Sequence, residues 1–458
     1  LRRKFTVPGE DSYLKMGKTT TTRRGLPAWG PAWGPTLARI ASAFLFVILS
    51  STFNYAQKIS PEEQKLVDYI DAHTGEAIAL LEKTVNIESP TENLAGVRQV
   101  GAVFKAEFES LGFTVKWISM PAEMKRAGHL LAETKGTKGK RLLLLGHIDT
   151  VLSGEKFRRE GSKAFGTGTV DMKAGDVVLL YALKALRATG ALNDTRIAVM
   201  LTGDEENAGR PLEVSRGDMV TAAKGSDMAL SFESTVGNTA TVGRRGASSW
   251  TLEVTGKTGH SAGIFREDSG NGAIFEAARI LNQFYEALHR EKYLTFNPSV
   301  IVGGTEANLN EVTGTATGKT NVIPAKVIVK GDLRFIGEQQ KEAARARMRE
   351  IVAQNLTGAT AKITFEDGYP AMTPAEGNYV LLKLLDQVSQ DLGFGKVGAL
   401  DPGDRGAGDI AFVSNVVPGL DGIGGKGGGA HAPSEFVDLQ SLPMLTKRAA
   451  VLIYRLTR

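Results

Sequence analysis

The sequence predicts an α/β protein, a mixed sheet flanked by helices and interrupted by an inserted ferredoxin-like α+β domain. Four stretches carry that prediction. Arg141 to Asp149 reads Arg-Leu-Leu-Leu-Leu-Gly-His-Ile-Asp, and four leucines with no polar alternation describe a central strand buried on both faces. Arg196 to Leu201 and Asp227 to Phe232 are further apolar runs separated by helical periods, as in a sheet built with crossover helices. Beyond Val242 the texture changes, and residues 247–366 run strand, helix, strand, strand, helix, strand over about 120 residues, the ferredoxin-like order at a common domain size.

The elements follow in order. Ser60-Pro61-Glu62-Glu63 opens a helix, with Ser60 as N-cap, Pro61 at the first position and Glu63 closing a capping box. Leu66, Ile70, Ala77, Leu80 and Leu81 continue it at amphipathic spacing. A second helix spans Leu94 to Leu111 and stops at Gly112. Strands follow at Phe113 to Ile118, His129 to Glu133 and Leu142 to Leu145, then a helix from Val177 to Leu186, the strand ending at Leu201, a helix over 212–223 and the strand ending at Phe232. In the insert, Ala247 to Val254, Ser299 to Val302, Ala325 to Phe335 and Thr360 to Glu366 read as strands, with helices over Asn271 to His289 and Glu338 to Gln354. The first texture resumes near Tyr369, with helices from Asn378 to Leu392 and Leu442 to Arg455. The expected division is 1–56 leader, 57–243 first part of the outer domain, 244–366 insert and 367–458 the rest of the outer domain.

The 458 residues are 42% hydrophobic and 23% charged, ordinary for a globular chain. The net charge of +5 is misleading as a sign of nucleic-acid binding. Residues 1–56 hold eight Lys or Arg and two acids, which leaves 47 basic against 48 acidic residues in the remainder. The body is neutral, and no nucleic-acid partner is expected. The leader has the parts of a signal peptide: Arg23, Arg24 and Arg39 precede the apolar run Ile40 to Leu49, and cleavage is expected after Ala56, with Met16 a candidate start. That predicts a periplasmic or secreted protein, touching membrane only through an uncleaved leader. Cysteine is absent from the chain, which excludes thiolate nucleophiles, disulfides and Cys-ligated metal.

Chemistry gathers at the strand ends, where open α/β sheets place their ligand crevice. His147 ends the leucine strand, and Asp149 is placed to hold one of its ring nitrogens while the other binds a metal. A loop histidine satisfied by its neighbours is the competing reading of this pair alone. Asp171, in Gly166-Thr-Gly-Thr-Val-Asp-Met-Lys-Ala-Gly175, is expected to open the next helix, where a lone carboxylate is usually a cap. The glycines invite a phosphate-loop reading, but the Gly-Lys-Ser/Thr ending is missing. Asp204-Glu205-Glu206 follow the next strand, and three acids there need a cation or buried donors unless the turn is solvated. Glu233 ends the strand after that. His431 sits in Gly424-Gly-Lys-Gly-Gly-Gly-Ala-His-Ala-Pro-Ser-Glu435, a glycine-rich loop able to approach a ligand closely. Imidazole with carboxylates and no thiolate suits zinc, cobalt or manganese at a hydrolytic site. His129, His73 and His289 read as structural.

Together His147-x-Asp149, Asp171, Asp204-Glu205-Glu206, Glu233 and Ala430-His431 resemble the co-catalytic di-zinc exopeptidase and aminoacylase family, which includes glutamate carboxypeptidase, succinyl-diaminopimelate desuccinylase and peptidase T. The resemblance runs from about Ser60 to the C-terminus and implies a zinc-exopeptidase-like fold. It implies that Asp171 bridges two divalent ions beside a cis bond to Met172, that His147 and Glu233 complete one site and Glu206 and His431 the other, and that Glu205 is the general base. It further implies an oxyanion role for His260 in Gly256-Lys-Thr-Gly-His-Ser-Ala-Gly, and substrate contacts from Arg334 in Gly331-Asp-Leu-Arg and from Asn321. A turn histidine and a surface arginine are the plain alternatives for His260 and Arg334. Homodimerisation through the lid is part of the same expectation. One departure stands out: Gly368-Tyr369-Pro370 replaces the Gly-Arg-Pro of glutamate carboxypeptidases, which puts glutamate preference in doubt and makes Arg405 a candidate substitute. The expected function is hydrolysis of an amide or peptide bond next to a free carboxylate, in a small peptide or N-acyl amino acid. A deacylase or desuccinylase is the alternative, and a silent peptide- or metal-binding protein the non-enzymatic one.

Overall fold

The computed structural model describes residues 59–310 and 313–458, all within the unit Gln57–Arg458. The expected leader, its apolar run and its cleavage site lie outside the described residues. Among those described, no helix is long and apolar enough to cross a membrane.

Helix α1, Pro61–Val85, begins as its sequence dictates. Ser60 Oγ accepts from the Glu63 N–H at 3.2 Å and Glu63 Oε2 accepts from the Ser60 N–H at 2.6 Å, satisfying two donors that a helix start leaves free. Helix α2, Leu94–Ser110, leads to strands β1 (Thr114–Ile118), β2 (His129–Glu133) and β3 (Lys138–His147). Then come α3 (Ala174–Ala188), β4 (Thr195–Thr202), α4 (Gly217–Lys224) and β5 (Met228–Ser231). The helix expected over 212–223 is broken: Leu212–Ser215 and Gly217–Lys224 flank Arg216, whose side chain turns inward and is 1% exposed.

These strands form a sheet of order β1-β2-β4-β3-β5, closed by β10, Gly419–Leu420. β3 pairs in parallel with β4 and β5, and β2 alone runs against its neighbours. The leucine run now has a reason. Leu142 and Leu144 enter the core shared with α1, α3 and the last helix, whereas Leu143 and Leu145 point to the opposite core with Ala198, Met200, Met219 and Ile410. A strand covered on both faces needs apolar residues at every position.

The lid comprises β6 (Gly246–Gly256), α5 (Gly272–Leu288), β7 (Thr295–Gly304), β8 (Lys326–Phe335), α6 (Glu338–Val352) and β9 (Ala359–Asp367). Its antiparallel order is β7-β8-β6-β9, the arrangement that the strand-helix-strand repeat produces when each helix crosses one strand. Trp250, Leu252 and Val254 of β6 pack on Ile280, Phe284 and Met348 of the two helices. β7 extends well beyond the expected Ser299–Val302, with an irregular register at Pro298, a residue without an N–H to give the ladder. A hairpin of Glu306–Leu309 with Gly314–Thr317 was not expected from the sequence: its strands are four residues each, and of their side chains only Ala307 is buried. Helices α7 (Glu376–Asp391) and α8 (Ser441–Leu456) complete the chain.

Candidate metal centre

Three parallel strands end on one side of the sheet, and their continuations carry the acids and imidazoles. β3 ends at His147, β4 leads into Asp204, Glu205 and Glu206, and β5 leads into Glu233. Asp171 lies in the irregular segment before α3 rather than opening that helix, and its bond to Met172 is cis. His431 arrives from the glycine-rich loop in a left-handed conformation, φ 63°.

That loop's glycines serve backbone against backbone. A Cβ on Gly175 or on Gly424 would come within 1.8 Å of the Phe232 carbonyl oxygen, so only glycine lets the loop and the start of α3 close around the end of β5. The 424–431 segment is thereby brought to the crevice.

There the side chains converge. Ligand atoms of His147, Asp171 and Glu233 lie within 4.8 Å of one another, as do those of Asp171, Glu206 and His431, and those of His147, Glu205 and Glu206. His147 Nε2 is 3.3 Å from Asp171 Oδ1 and 3.6 Å from Glu233 Oε1. His431 Nε2 is 3.2 Å from Asp171 Oδ2 and 3.3 Å from Glu206 Oε2. These separations have a simple meaning. Ligands at roughly 2.0–2.1 Å from a tetrahedral zinc stand about 3.3–3.4 Å apart, so both triads have the spacing of groups that share a cation. The two oxygens of Asp171 face different histidines, which is what a bridging carboxylate requires. The donor set fits divalent ions of the zinc class.

Electrostatics agree. Burial pushes the Glu205 carboxyl well above its usual range, the charge of His147 opposes this, and Glu233, Asp409 and Glu206 add to it. Burial raises Glu206 as well. Hydrogen bonds to Asp171 and Glu206 push the His431 imidazole up to about 10. Such a cluster attracts positive charge, and protons are what it takes when no metal competes.

Asp149 does more than hold His147. His147 Nδ1 lies 3.4 Å from Asp149 Oδ1, and the Asp149 carboxylate also accepts from the N–H groups of Glu205 at 3.0 Å and Glu206 at 3.1 Å and from Thr91 Oγ1 at 2.7 Å. Behind the acidic turn lies a network that sequence reading missed. Arg216 donates to Asp204 Oδ1 at 2.5 Å, to Asp409 Oδ1 at 2.7 Å and to the Tyr369 hydroxyl at 3.0 Å. Tyr369 in turn donates to the Glu205 carbonyl at 2.5 Å. Gly203 N–H donates to His129 Nδ1 at 3.2 Å, and His129 Nε2 faces the Ser215 carbonyl at 2.8 Å, so His129 is structural as expected. Tyr369 therefore belongs to the frame of the acidic turn.

The remaining expected residues are distributed unevenly. Arg405 is buried, with one guanidinium nitrogen 3.3 Å from Ser234 Oγ and another 3.8 Å from Asp421. Burial and the charge of Arg244 lower its pKa, while Asp421, Glu233 and Asp171 oppose that, which places Arg405 in the field of the centre. His260, Asn321 and Arg334 lie on the lid, outside the three metal-ligating groups. His260 is exposed and accepts from the Ala262 N–H, and the Asn321 carbonyl accepts from the Ser261 N–H at 2.9 Å, so the two residues are neighbours. Arg334 is half-exposed on β8, bonded to Asp332 at 2.8 Å.

Residues 143–455 match the peptidase family M20/M25/M40. The chain belongs to this family. Carboxypeptidase G2 of a Pseudomonas species is 30% identical over 388 residues, covering 82% of this chain and 88% of that protein. A succinyl-diaminopimelate desuccinylase of Nitrosospira multiformis is 25% identical over 408 residues, covering 83% and 97%. Among solved structures, the aminopeptidase PepT of Bacillus cereus shares the fold at a TM-score of 0.67 and 18% identity, covering 84% of this chain and 99% of its own. Membership makes this chain a metallopeptidase or related metal-dependent amidohydrolase, and the mixed sheet with its lid is the M20 architecture.

Proposed function

We propose that the protein is an exported carboxypeptidase-like hydrolase that cleaves an amide or peptide bond next to a free carboxylate, using two divalent ions, zinc first among them. The observation that carries this reading is the pair of triads sharing Asp171, with Glu205 beside them and absent from the Asp171 triads. His147 and Glu233 would hold one ion, Glu206 and His431 the other, and Asp171 both. When bound, such ions supply Lewis acidity toward water and the scissile carbonyl. Glu205 takes the proton of the attacking water and delivers it to the leaving nitrogen, a task that needs a carboxylate not consumed by ligation. Asp149 and Tyr369 hold the Glu205 peptide on either side, through its N–H and its carbonyl. Arg334 is suited to grip the substrate carboxylate with its planar fork, His260 and Asn321 to approach the carbonyl oxygen from the lid, and Arg405 to add positive charge at the catalytic wall. Export rests on the leader sequence alone.

The first test is Glu205→Gln. Turnover should fall by about 10²–10⁴-fold while metal content, measured by atomic emission, stays at the wild-type value. Undiminished hydrolysis removes Glu205 from the reaction. Substrate choice is read from a panel of dipeptides and N-acyl amino acids with and without zinc. One observation favours the deacylase or desuccinylase alternative over glutamate release: the position of the Gly-Arg-Pro arginine is held by Tyr369, whose hydroxyl is already engaged at both of its partners.

A further inference from the structure

Glu435 has no place in the chemistry above, yet its carboxylate is 4% exposed. It faces backbone donors from a single loop. Glu435 Oε2 accepts from the Gly168 N–H at 2.8 Å, and Oε1 accepts from the N–H groups of Val170 at 2.8 Å and Asp171 at 3.0 Å. Its own carbonyl accepts from the Gly166 N–H at 3.2 Å. Four donors within six residues thus converge on one residue some 265 positions later in the chain. Successive N–H groups arranged this way form a concavity that binds anions, and here the chain supplies the anion itself. Desolvating a carboxylate is costly without such donors, so the loop and the glutamate stabilise each other.

Position gives this contact its consequence. The loop it grips ends in Asp171, whose oxygens face both histidines, and Glu435 follows His431 by four residues on a turn closed by Glu435 N–H to the Ala432 carbonyl at 3.0 Å. We infer that Glu435 is a positioning residue that fastens the bridging aspartate's loop to the His431 loop, so that both metal sites are formed before any ion arrives. The inference rests on the two-ion reading of the preceding section. Without Glu435, ordering the two loops falls to the cations, and affinity drops by that amount. Partners that orient ligands from behind are typically worth about 10–100-fold in metal affinity.

The test uses the full chain stripped of metal by chelator and titrated with cobalt(II), followed by its visible absorption and by competition with a chelating dye. Glu435→Gln keeps the side chain's shape but turns an amide N–H toward the loop's donors, and Glu435→Ala removes the clamp. Both should bind cobalt at least 10-fold more weakly than wild type and change the absorption of both ions. His431→Ala should disturb one ion only. Independently of metal, amide hydrogen exchange in the 166–172 segment of the stripped Gln variant should speed at least 10-fold while α3 and β3 keep wild-type protection. Wild-type affinity and wild-type exchange in the Gln variant overturn the clamp. A wild-type chain that takes up no cobalt overturns the two-ion reading itself, and with it the clamp.

Discussion

Asp149 and Tyr369 show how much of this site is decided one residue at a time. Asp149 was expected to orient His147, and the spacing of two residues after a buried strand made that legible. That the same carboxylate also takes the N–H groups of Glu205 and Glu206 was not, because those residues are more than fifty positions away. Tyr369 was visible only as a departure from a pattern. In the fold its hydroxyl joins Arg216 to the Glu205 carbonyl, and Tyr369→Phe removes that joint without changing volume. The variant should lose about 0.5–1.5 kcal/mol of stability in urea unfolding. It should also lower kcat several-fold with little change in KM, since the contact orients Glu205, the proposed base, and not the substrate. A variant with wild-type kcat reduces the phenol to packing against Phe412, which its ring meets at 4.9 Å.

At the level of elements, the strongest sequence signals came from segments whose local and tertiary demands coincide. β3 is one: every leucine is buried, two on each face. Leu144→Ala should cost about 2–5 kcal/mol, measured by urea unfolding of the metal-loaded protein, and a cost below about 1 kcal/mol would mean that the strand is not central. The start of α1 is another. Glu63 is raised by burial but brought below its ordinary range overall by Arg455, which donates at 2.6 Å, and by the Ser60 cap. A carboxyl with a lowered folded pKa adds stability that is complete above the unfolded value, about 4.3, and lost as pH falls through the folded one. Glu63→Gln should therefore flatten the acid side of the stability curve below about pH 4.3, as followed by thermal unfolding at each pH. An unchanged slope would refute the assignment. The break at Arg216 was not legible, because nothing in Leu212 to Ala223 marks a residue that leaves the helix to reach Asp204 and Asp409.

For the molecule as a whole, the arrangement of lid and catalytic domain raises the question of a second copy. β7 is the edge of the lid sheet and exposes Val300 and Ile301, and α5 exposes Ile274, Phe275 and Tyr285. An apolar edge strand is a ready template for pairing with another chain, the kind of surface the homodimer expected from the sequence would use. Ile301→Asp should shift the protein to monomer in sedimentation velocity while the lid keeps its fold by circular dichroism. A wild-type chain that sediments as a monomer at micromolar concentration would end that expectation. His260 and Asn321, exposed on the same lid, are the residues whose contribution to turnover should fall with the dimer.

The sequence by itself determined the class of fold, the order along the chain of the main strands and helices, and the identity of the acids and imidazoles at the strand ends. Each of these is written in local periodicity or in residue type at a strand terminus, and neither depends on distant parts of the chain. Only the tertiary structure decided that Glu435 holds the backbone leading to Asp171, that Asp149 holds the N–H groups of Glu205 and Glu206, and that Tyr369 supports the Glu205 carbonyl. Those contacts join segments dozens to hundreds of residues apart. A hydrogen bond across such a separation leaves no period in the sequence, because its geometry is set by how the cores pack and not by either partner's neighbours.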